Sequence, residues 1–403
     1  MSMPAGTGPA AAVLPGTVPG GAALAAVVPG EAGPVGSVPA TDARAVPGLP
    51  EAPGVAVRTY RRSVARRVLL LVALVLAGLL AMLADLVVGS GTLTLKQVLA
   101  GLVSPSSVEP VVRVVLWDIR MPVTFTAALA GIALALSGSL MQTVLNNPLA
   151  EPFTLGISSA AGFGAALAIV FQTSLLGLAA WVPAELIVSA NAFLFSLVTV
   201  LAVAFLARRT GMGVETVTLL GIAVHFVFSA LLAFAQYFAD ANQLQTLVFW
   251  LLGSLQRGTW TKIAINAAIL LVVVPPLLTR AWAMTALRGF GDGAVVLGIP
   301  VERLRLLMLV AAAVMAGSAT ATIGIVGFIG LVGPHMARLL VGEDQRFSLA
   351  VTAACGLLVL VLASLASKLI LPGLILPIGM VTSLLGVPFF LAQILYGRRR
   401  VAR

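Results

Sequence analysis

The sequence predicts an all-α integral membrane protein with about ten transmembrane helices. Of its 403 residues, 60% are apolar and only 9% are charged, and its mean hydropathy is +1.10. A soluble domain has about 45–50% apolar and about 25% charged residues. Apolar runs long enough to cross a hydrocarbon core, which takes about 20 residues, recur between residues 68 and 396. So few charged residues cannot cover a water-facing surface, and we therefore expect one continuous membrane domain.

The segment before the first apolar run, residues 1–57, is predicted to be a separate, disordered cytoplasmic tail. It consists largely of Ala, Pro, Gly and Val, and Pro or Gly interrupts every stretch before a helix could form. A secretory signal peptide would need a basic start and an uninterrupted apolar core, and neither precedes Arg58. We therefore expect the transmembrane domain to comprise residues 58–403, with its first helix as an uncleaved anchor.

Ten apolar runs account for the predicted spans, which cover residues 68–88, 121–144, 153–171, 186–207, 214–238, 261–279, 304–323, 326–341, 347–370 and 377–396. The first follows an Arg-rich segment, and the second begins beside Pro122, which a helix tolerates in its first turn. Pro148 and Pro152 end the second span and impose an extended turn before the third. A segment with four arginines, residues 280–305, separates the sixth span from the seventh. Small residues within the spans let helix backbones approach closely, as in a tight bundle.

The basic residues predict the orientation of the bundle. If the amino terminus is cytoplasmic, alternate loops place 17 of the 24 Lys and Arg residues inside and six outside, and one more lies in the tail. This distribution is the positive-inside bias of membrane proteins, and it puts both termini in the cytoplasm. The cationic clusters alternate with apolar runs and do not line one face with interleaved aromatic residues, so we expect no nucleic-acid partner.

Catalytic and cofactor chemistry is predicted to be absent from this chain. A protein that hydrolyses its own ATP needs a glycine-rich phosphate loop ending in Lys and Ser or Thr, and none of the three lysines follows such a loop. A membrane enzyme needs converging carboxylates, a metal cluster or an activated nucleophile, which two histidines, scattered acids and a single Cys355 do not offer. We therefore expect transport whose energy comes from another polypeptide or from an ion gradient.

The positions of the ionisable residues indicate which of these two energy sources the protein uses. An ion-coupled carrier usually keeps titratable groups in mid-span, whereas Asp85, Lys262 and Lys368 lie near predicted span ends, as membrane-interface anchors do. His225 lies inside the fifth predicted span, where a hydrogen bond between helices is the favoured interpretation. Asp240 with Gln243 is interpreted as a solvated loop end. The sequence favours a separate motor protein, and an ion-gradient-driven secondary transporter is the alternative from a different class.

Two short internal similarities indicate that the membrane domain has two pseudo-related halves. Residues 217–222 (VTLLGI) resemble residues 381–387 (VTSLLGV), and residues 137–139 (SGS) resemble residues 316–318 (AGS). Internal repeats are common in transporters, where one half moves against the other.

Several motifs along the chain resemble those of one transporter family. They are Arg120-Met121-Pro122, residues 135–142 (ALSGSLMQ), 147–152 (NPLAEP), 250–255 (WLLGSL) and 327–338 (GFIGLVGPHMAR). In this order they resemble the FecCD-type permease subunits of ATP-binding-cassette (ABC) importers for iron siderophores, haem and cobalamin, over about residues 66–400. The resemblance implies the type II ABC importer permease fold and a multi-pass location in the bacterial cytoplasmic membrane.

The resemblance also implies a multi-protein assembly. A second permease subunit would complete a homodimer or heterodimer, two cytoplasmic ATPase subunits would bind ATP and Mg²⁺, and an extracytoplasmic substrate-binding protein would deliver the cargo. The permease itself would be neither an enzyme nor a cofactor-binding protein. An iron–siderophore complex is the expected cargo, and cobalamin and haem are the alternatives within the family.

Three sets of site residues follow from the resemblance. A coupling region at about residues 286–303 would transmit ATPase closure, or alternatively lie on lipid headgroups, through Gly291, Asp292, Ala294, Leu297, Gly298, Ile299 and Pro300. Arg120 and Lys368 would be exposed outer cations that dock the binding protein, with anchoring at the membrane interface as the alternative. The inner translocation gate would comprise Gly213, Val214, Glu215 and Thr216, and the fifth and tenth spans would line the path.

Two departures from the family pattern affect these sites. Val123-Thr124 stands where many relatives carry a second Arg, which weakens the docking prediction. Gly291-Asp292 stands where relatives commonly carry two acids, which indicates a specific contact with a matching ATPase.

Overall fold

The computed structural model describes residues 53–89, 93–174, 177, 183–210, 213–371 and 373–401, without the side chains of residues 53–59, 184, 185, 389, 390 and 392–401. Its helices are α1 (Pro53–Val87), α2 (Leu95–Val103), α3 (Pro110–Val114), α4 (Met121–Val144), α5 (Ile157–Ile169), α6 (Ala184–Thr210), α7 (Val214–Phe238), α8 (Ala241–Leu251), α9 (Trp260–Thr279), α10 (Ala281–Phe290), α11 (Val301–Ile323), α12 (Ile329–Val341), α13 (Gln345–Leu369) and α14 (Ile378–Val401). All regular structure in these ranges is helical, so the predicted all-α class is confirmed. The predicted disordered tail lies outside the described residues, except for residues 53–57, which begin α1.

The ten predicted spans correspond one to one with apolar helices. Seven helices of the described residues are long and apolar enough to cross a membrane: Tyr60–Val87, Pro110–Val144, Leu186–Thr210, Val214–Phe238, Trp260–Thr279, Val301–Ile323 and Gln345–Leu369. Three shorter apolar helices, Ile157–Ile169, Ile329–Val341 and Ile378–Pro388, complete the set. The second span begins earlier than predicted, because α3 and a π-helical turn (Val115–Arg120) extend it back to Pro110.

The long helices run between two ends of the bundle, which we name after one residue at each. The Lys368 end contains Lys368 in the last turn of α13 and, in contact with it, Asp85 near the end of α1. The Arg338 end contains Arg338 of α12 and, in contact with it, Gln142 in the last turn of α4. Helix α4 begins at the first end and reaches the second, so it crosses the bundle.

The centre of the bundle is formed by α4, which is buried along nearly its whole length, together with α11. A Cβ on Gly138 would lie 2.0 Å from the Gly330 carbonyl oxygen, and a Cβ on Gly131 would lie 2.3 Å from that of Gly356. The Ser137 hydroxyl donates a hydrogen bond of 2.7 Å to the carbonyl of Ala312 on α11. Small residues therefore bring α4 into backbone contact with its neighbours, as expected where lipid supplies no hydrophobic drive between helices.

Two helices are shorter than a full crossing, and both begin inside the bundle. Helices α5 and α12 have 13 residues each, against about 20 for a full crossing. A Cβ on Gly156, just before α5, would lie 3.0 Å from the backbone nitrogen of His225, near the middle of α7. The Phe328 N–H, just before α12, donates to Glu151 Oε2 at 3.4 Å. Since α5 follows α4 and α12 follows α11, the arrangement supports the predicted pseudo-related halves.

Helices α2, α8 and α10 were not predicted, although two of them carry a recognisable start signal. Helix α8 begins with a capping box, in which the Asp240 carboxylate accepts from the N–H of Gln243 and the Gln243 side chain accepts from the N–H of Asp240. The same arrangement joins Thr94 and Gln97 at the start of α2. Asp240, which is exposed and directly precedes α8, is therefore the solvated loop end that the sequence indicated, whereas Gln243 lies in the first turn of the helix.

Candidate coupling, gate and docking sites

The predicted coupling region exposes apolar side chains directly after α10. Residues Gly291–Leu297 form a 3₁₀ helix. Val296 is 90% exposed, and Phe290, Val295 and Leu297 are also exposed; we call these four residues the coupling surface. Exposed apolar side chains grouped in this way suit contact with a protein partner or with the membrane. Gly298, Ile299 and Pro300 connect this surface to Val301, the first residue of the central helix α11.

Other residues of the region fasten the coupling surface to the bundle. Ala294 and Ile299 are buried. Gly291 and Gly298 have φ angles of +54° and +75°, a conformation that glycine adopts without the strain other residues incur. Pro300 directly precedes α11. Of the predicted coupling residues, Asp292 and Leu297 are therefore exposed, and the others are buried or determine the course of the backbone.

Asp292 has a partner within the chain. Its carboxylate lies 2.7 Å from Nη1 of Arg305, whose side chain is only 5% exposed while that of Asp292 is 76% exposed. The ion pair joins the 3₁₀ helix to the first turns of α11. From the sequence, Asp292 is predicted to contact the ATPase. In the structure its carboxylate instead forms an ion pair with Arg305 of the same chain, which tethers the 3₁₀ helix to α11.

A groove adjoins the coupling surface at the Arg338 end. This cavity of about 570 Å³ is lined by Asn146, Trp282, Arg288, Phe290, Leu297 and Glu343. Arg288 forms an ion pair with Glu343, and Arg338 donates a hydrogen bond to Gln142 of α4. At the neighbouring start of α13, the hydrogen bond from the Arg346 side chain holds the pKa of Asp344 below its usual range. The ion pair between Arg288 and Glu343 therefore connects two parts of the groove wall.

The predicted gate residues form the first turn of α7. Gly213 is the N-cap, Val214 and Thr216 are half-buried, and Glu215 is exposed. Further along α7 an apolar face is exposed, with Leu219, Phe226 and Tyr237 at 67%, 67% and 84%. Such a face, in a chain that crosses a membrane, suits contact with lipid or a second subunit. The gate role of this turn stays a prediction.

The predicted docking cations are buried, so the expectation that they are exposed is wrong. The Lys368 ammonium lies 2.7 Å from Asp85 Oδ1, and the side chains are 7% and 0% exposed. The Thr124 hydroxyl donates to Asp85 Oδ2 at 2.5 Å. Arg120 Nη1 donates to the carbonyls of Leu86 and Val87, at 2.7 Å each. The physical reason is that the last turn of α1 offers unpaired carbonyls and a carboxylate, which attract cations.

This cluster also corrects the expectation that ionisable residues are interface anchors, because Asp85 is fully buried. The cations still border open space at the Lys368 end. A cavity of about 250 Å³ is lined by Arg120, Lys368 and Gln256. A second, of about 450 Å³, is lined by Lys368, Gln256 and Arg257. An acidic partner could approach the cations through these cavities.

His225 makes a different contact from the one predicted. Its Nε2 lies 3.5 Å from the Ser229 hydroxyl of the same helix, and its buried Nδ1 has no hydrogen-bond partner among the described residues. The interpretation as a hydrogen bond between helices is therefore wrong for this part of the chain. In the same ranges, no group of three or more His, Cys, Asp or Glu could hold a metal ion.

Comparison with known proteins identifies relatives over most of the chain. The model of the FecCD transport family matches residues 69–396. The vitamin B12 import system permease protein of Vibrio cholerae is 34% identical over 68% of this chain and 81% of that protein. The hemin transport system permease protein of Yersinia pestis is 34% identical over 70% and 84%. A solved inward-facing structure of a metal-chelate type ABC transporter has a TM-score of 0.70 at 28% identity, covering 82% of this chain and 99% of that one.

Proposed function

Because the chain belongs to the FecCD transport family, and is therefore a multi-pass ABC importer permease of the type II fold, we propose that it carries an iron–siderophore complex into the cell. As a transport subunit it is not itself an enzyme. The solved structure similar to this chain is described as a metal-chelate type transporter, and an iron siderophore is a metal chelate.

The proposed assembly has a second permease subunit, as homodimer or heterodimer, two ATPase subunits with ATP and Mg²⁺, and an extracytoplasmic binding protein. The observation that carries this proposal is the coupling surface, because Val296 is 90% exposed in an apolar patch at one end of the bundle. An apolar surface of this kind fits a protein partner. The Arg338 end would face the cytoplasm, with both chain termini on that side.

The two remaining sites have roles in the same proposal. Gly213, Val214, Glu215 and Thr216 would close the path at the cytoplasmic side. Arg120 and Lys368 would receive acidic groups of the binding protein through the cavities that they line. Such charge pairs would steer and orient the partner more than they would tighten binding.

Reconstituted vesicles test the proposed function. We expect radio-iron-labelled ferric siderophore to accumulate only when this chain is combined with its ATPase, its binding protein and ATP. A protonophore should leave uptake unchanged while ATP is held constant. Accumulation by vesicles that contain this chain alone would contradict the proposal and favour an ion-gradient-driven carrier.

Cobalamin and haem are the second candidate cargoes, because relatives of this chain are named for vitamin B12 and hemin import. Labelled cobalamin and haemin, offered to the same vesicles with their own binding proteins, distinguish the three. The cargo that shows ATP-dependent accumulation identifies the substrate.

Val296→Asp is expected to abolish coupling while leaving the fold intact. Val296 is 90% exposed, so the charge has little effect on packing, whereas it would be buried without a partner in an apolar interface, at a cost of several kcal/mol. We expect ATP-driven uptake to fall to background and the thermal unfolding temperature to stay unchanged. Asp292 is a less informative position, because its loss would leave Arg305 without the tether described above.

The matched control is Val103→Asp. Val103 is 83% exposed in α2, far from the coupling surface in the chain, and the same chemical change there should retain uptake. Full uptake by Val296→Asp would discard the coupling surface as the ATPase contact.

A further inference from the structure

A cavity between three helices has no part in the sites described so far. It has a volume of about 300 Å³ and lies between the start of α6, the first half of α9 and the end of α11. Its apolar walls include Leu186 and Phe193 of α6 and Ile265 and Ile269 of α9. Its volume is several times that of a water molecule, about 30 Å³.

The cavity is polar at one end and apolar at the other. Lys262 and Asn266 are four residues apart on α9, and Ile269 follows on the same face about one turn deeper. Helix α9 starts at the Lys368 end, where the Trp260 indole N–H donates to the Trp117 carbonyl just before α4. The cation therefore lies nearest the surface of the bundle, and the apolar walls extend towards its interior.

Asn266 adds a hydrogen-bond acceptor that the chain does not use. Its side chain is 5% exposed, and Nδ2 donates to the Lys262 carbonyl at 2.9 Å and to the Thr322 hydroxyl at 2.8 Å. The buried Oδ1 has no hydrogen-bond partner among the described residues. A buried acceptor without a donor is unfavourable, so a ligand with an O–H or N–H group would be stabilised here.

We propose that this cavity binds an anionic glycerophospholipid with a hydroxyl-bearing head group, such as phosphatidylglycerol, from the leaflet at the Lys368 end. The phosphate would lie beside Lys262, a head-group hydroxyl would donate to Asn266 Oδ1, and one acyl chain would occupy the apolar walls. Lys262 Nζ donates to the Arg257 carbonyl at 3.2 Å, which holds the side chain at the rim.

The surroundings of the cavity fit a lipid better than water or a soluble ligand. Ile265 at the rim is 46% exposed, and it continues into exposed Leu271 and Val272 on α9, at 76% and 71%. An acyl chain entering from the bilayer would thus stay in contact with apolar surface throughout. The Lys262 ammonium beside this apolar surface would attract the negative charge of an anionic head group.

Native mass spectrometry of the full-length protein tests the proposal, with phosphatidylglycerol and phosphatidylcholine of identical acyl chains as probes. We expect one phosphatidylglycerol to bind about tenfold more tightly than phosphatidylcholine, whose head group carries no donor for Asn266 Oδ1 and whose choline cation offsets the charge of the phosphate beside Lys262. Lys262→Gln should remove most of that preference. Ala190→Phe, which places a ring in the cavity that Ala190 lines, should prevent binding of either lipid.

Lys96→Gln is the matched control, since Lys96 is an exposed cation on α2 that does not line the cavity. It should bind phosphatidylglycerol as the unaltered protein does. Lys262→Gln changes only a charge at the rim, so the proposal stays testable even if Ala190→Phe does not fold. Equal binding of the two lipids, or unchanged phosphatidylglycerol binding by Lys262→Gln, would overturn it. So would loss of the lipid when two permease subunits assemble, because a protein would then cover this face.

Discussion

Asp85→Ala is expected to destabilise the folded protein by about 3–5 kcal/mol, the cost of removing one partner from a buried ion pair. The Lys368 ammonium would keep its buried position without the carboxylate that now lies 2.7 Å away. The Thr124 hydroxyl would also lose its acceptor. We expect a large fall in the thermal unfolding temperature of the purified protein, measured by circular dichroism in detergent.

Two controls separate the ion pair from a general effect of removing an acid. Asp118→Ala removes an exposed acid from the π-helical turn at the same end of the bundle, and it should change stability little. The double variant Asp85→Leu with Lys368→Met replaces the pair by apolar side chains and should recover most of the loss, because no charge is left buried alone. An Asp85→Ala protein as stable as the original would show that the ammonium is hydrated.

Gly138→Ala is expected to disrupt the contact between α4 and α12. The added Cβ would lie 2.0 Å from the Gly330 carbonyl oxygen and 2.5 Å from the Gly330 Cα, and backbone atoms cannot move aside as a flexible side chain can. Overpacking of a core usually costs about 1–3 kcal/mol and occasionally more, and a backbone clash falls at the upper end. We expect a much smaller monodisperse fraction after detergent extraction and mild heating, measured by size-exclusion chromatography.

Gly289→Ala is the matched control for this change. Gly289 lies in α10, and no atom of a neighbouring residue lies within 4 Å of the place that the added methyl carbon would take. Alanine is favoured over glycine in helices by about 1 kcal/mol, so this variant should be as stable as the original or slightly more so. If Gly138→Ala behaves in the same way, the close crossing of α4 and α12 is not what stabilises the bundle.

Features that depend on local sequence were predictable. Hydropathy averaged over about 20 residues located all ten apolar helices, because crossing a bilayer requires a continuous apolar stretch. The glycine and proline that border residues 291–300 correctly located a short structured segment between α10 and α11. Helices α2 and α8 have only 9 and 11 residues and are too short for that window, although their capping boxes are visible in the sequence.

Features that depend on distant contacts were not predictable. Helices α5 and α12 look like full spans in the sequence, and the segments that precede them meet through a hydrogen bond between Glu151 and Phe328, 177 residues apart. A hydropathy window cannot show that an apolar run is broken in the middle of a bundle. The coupling surface is a similar case, because Val296 is exposed and Ala294 is buried although the two side chains have similar polarity.

Composition and the spacing of apolar runs were thus sufficient for the membrane class and for the ten apolar helices, because lipid solvation acts on each stretch of chain separately. The tertiary structure was needed to determine whether the charged groups are exposed to water or paired within the bundle. Lys368 meets Asp85 across 283 residues of chain, and a cation near a span end looks exposed until its partner is known. Whether such a charge faces water or a buried counter-charge is set by the helices packed around it, since burial and pairing are properties of the assembled bundle.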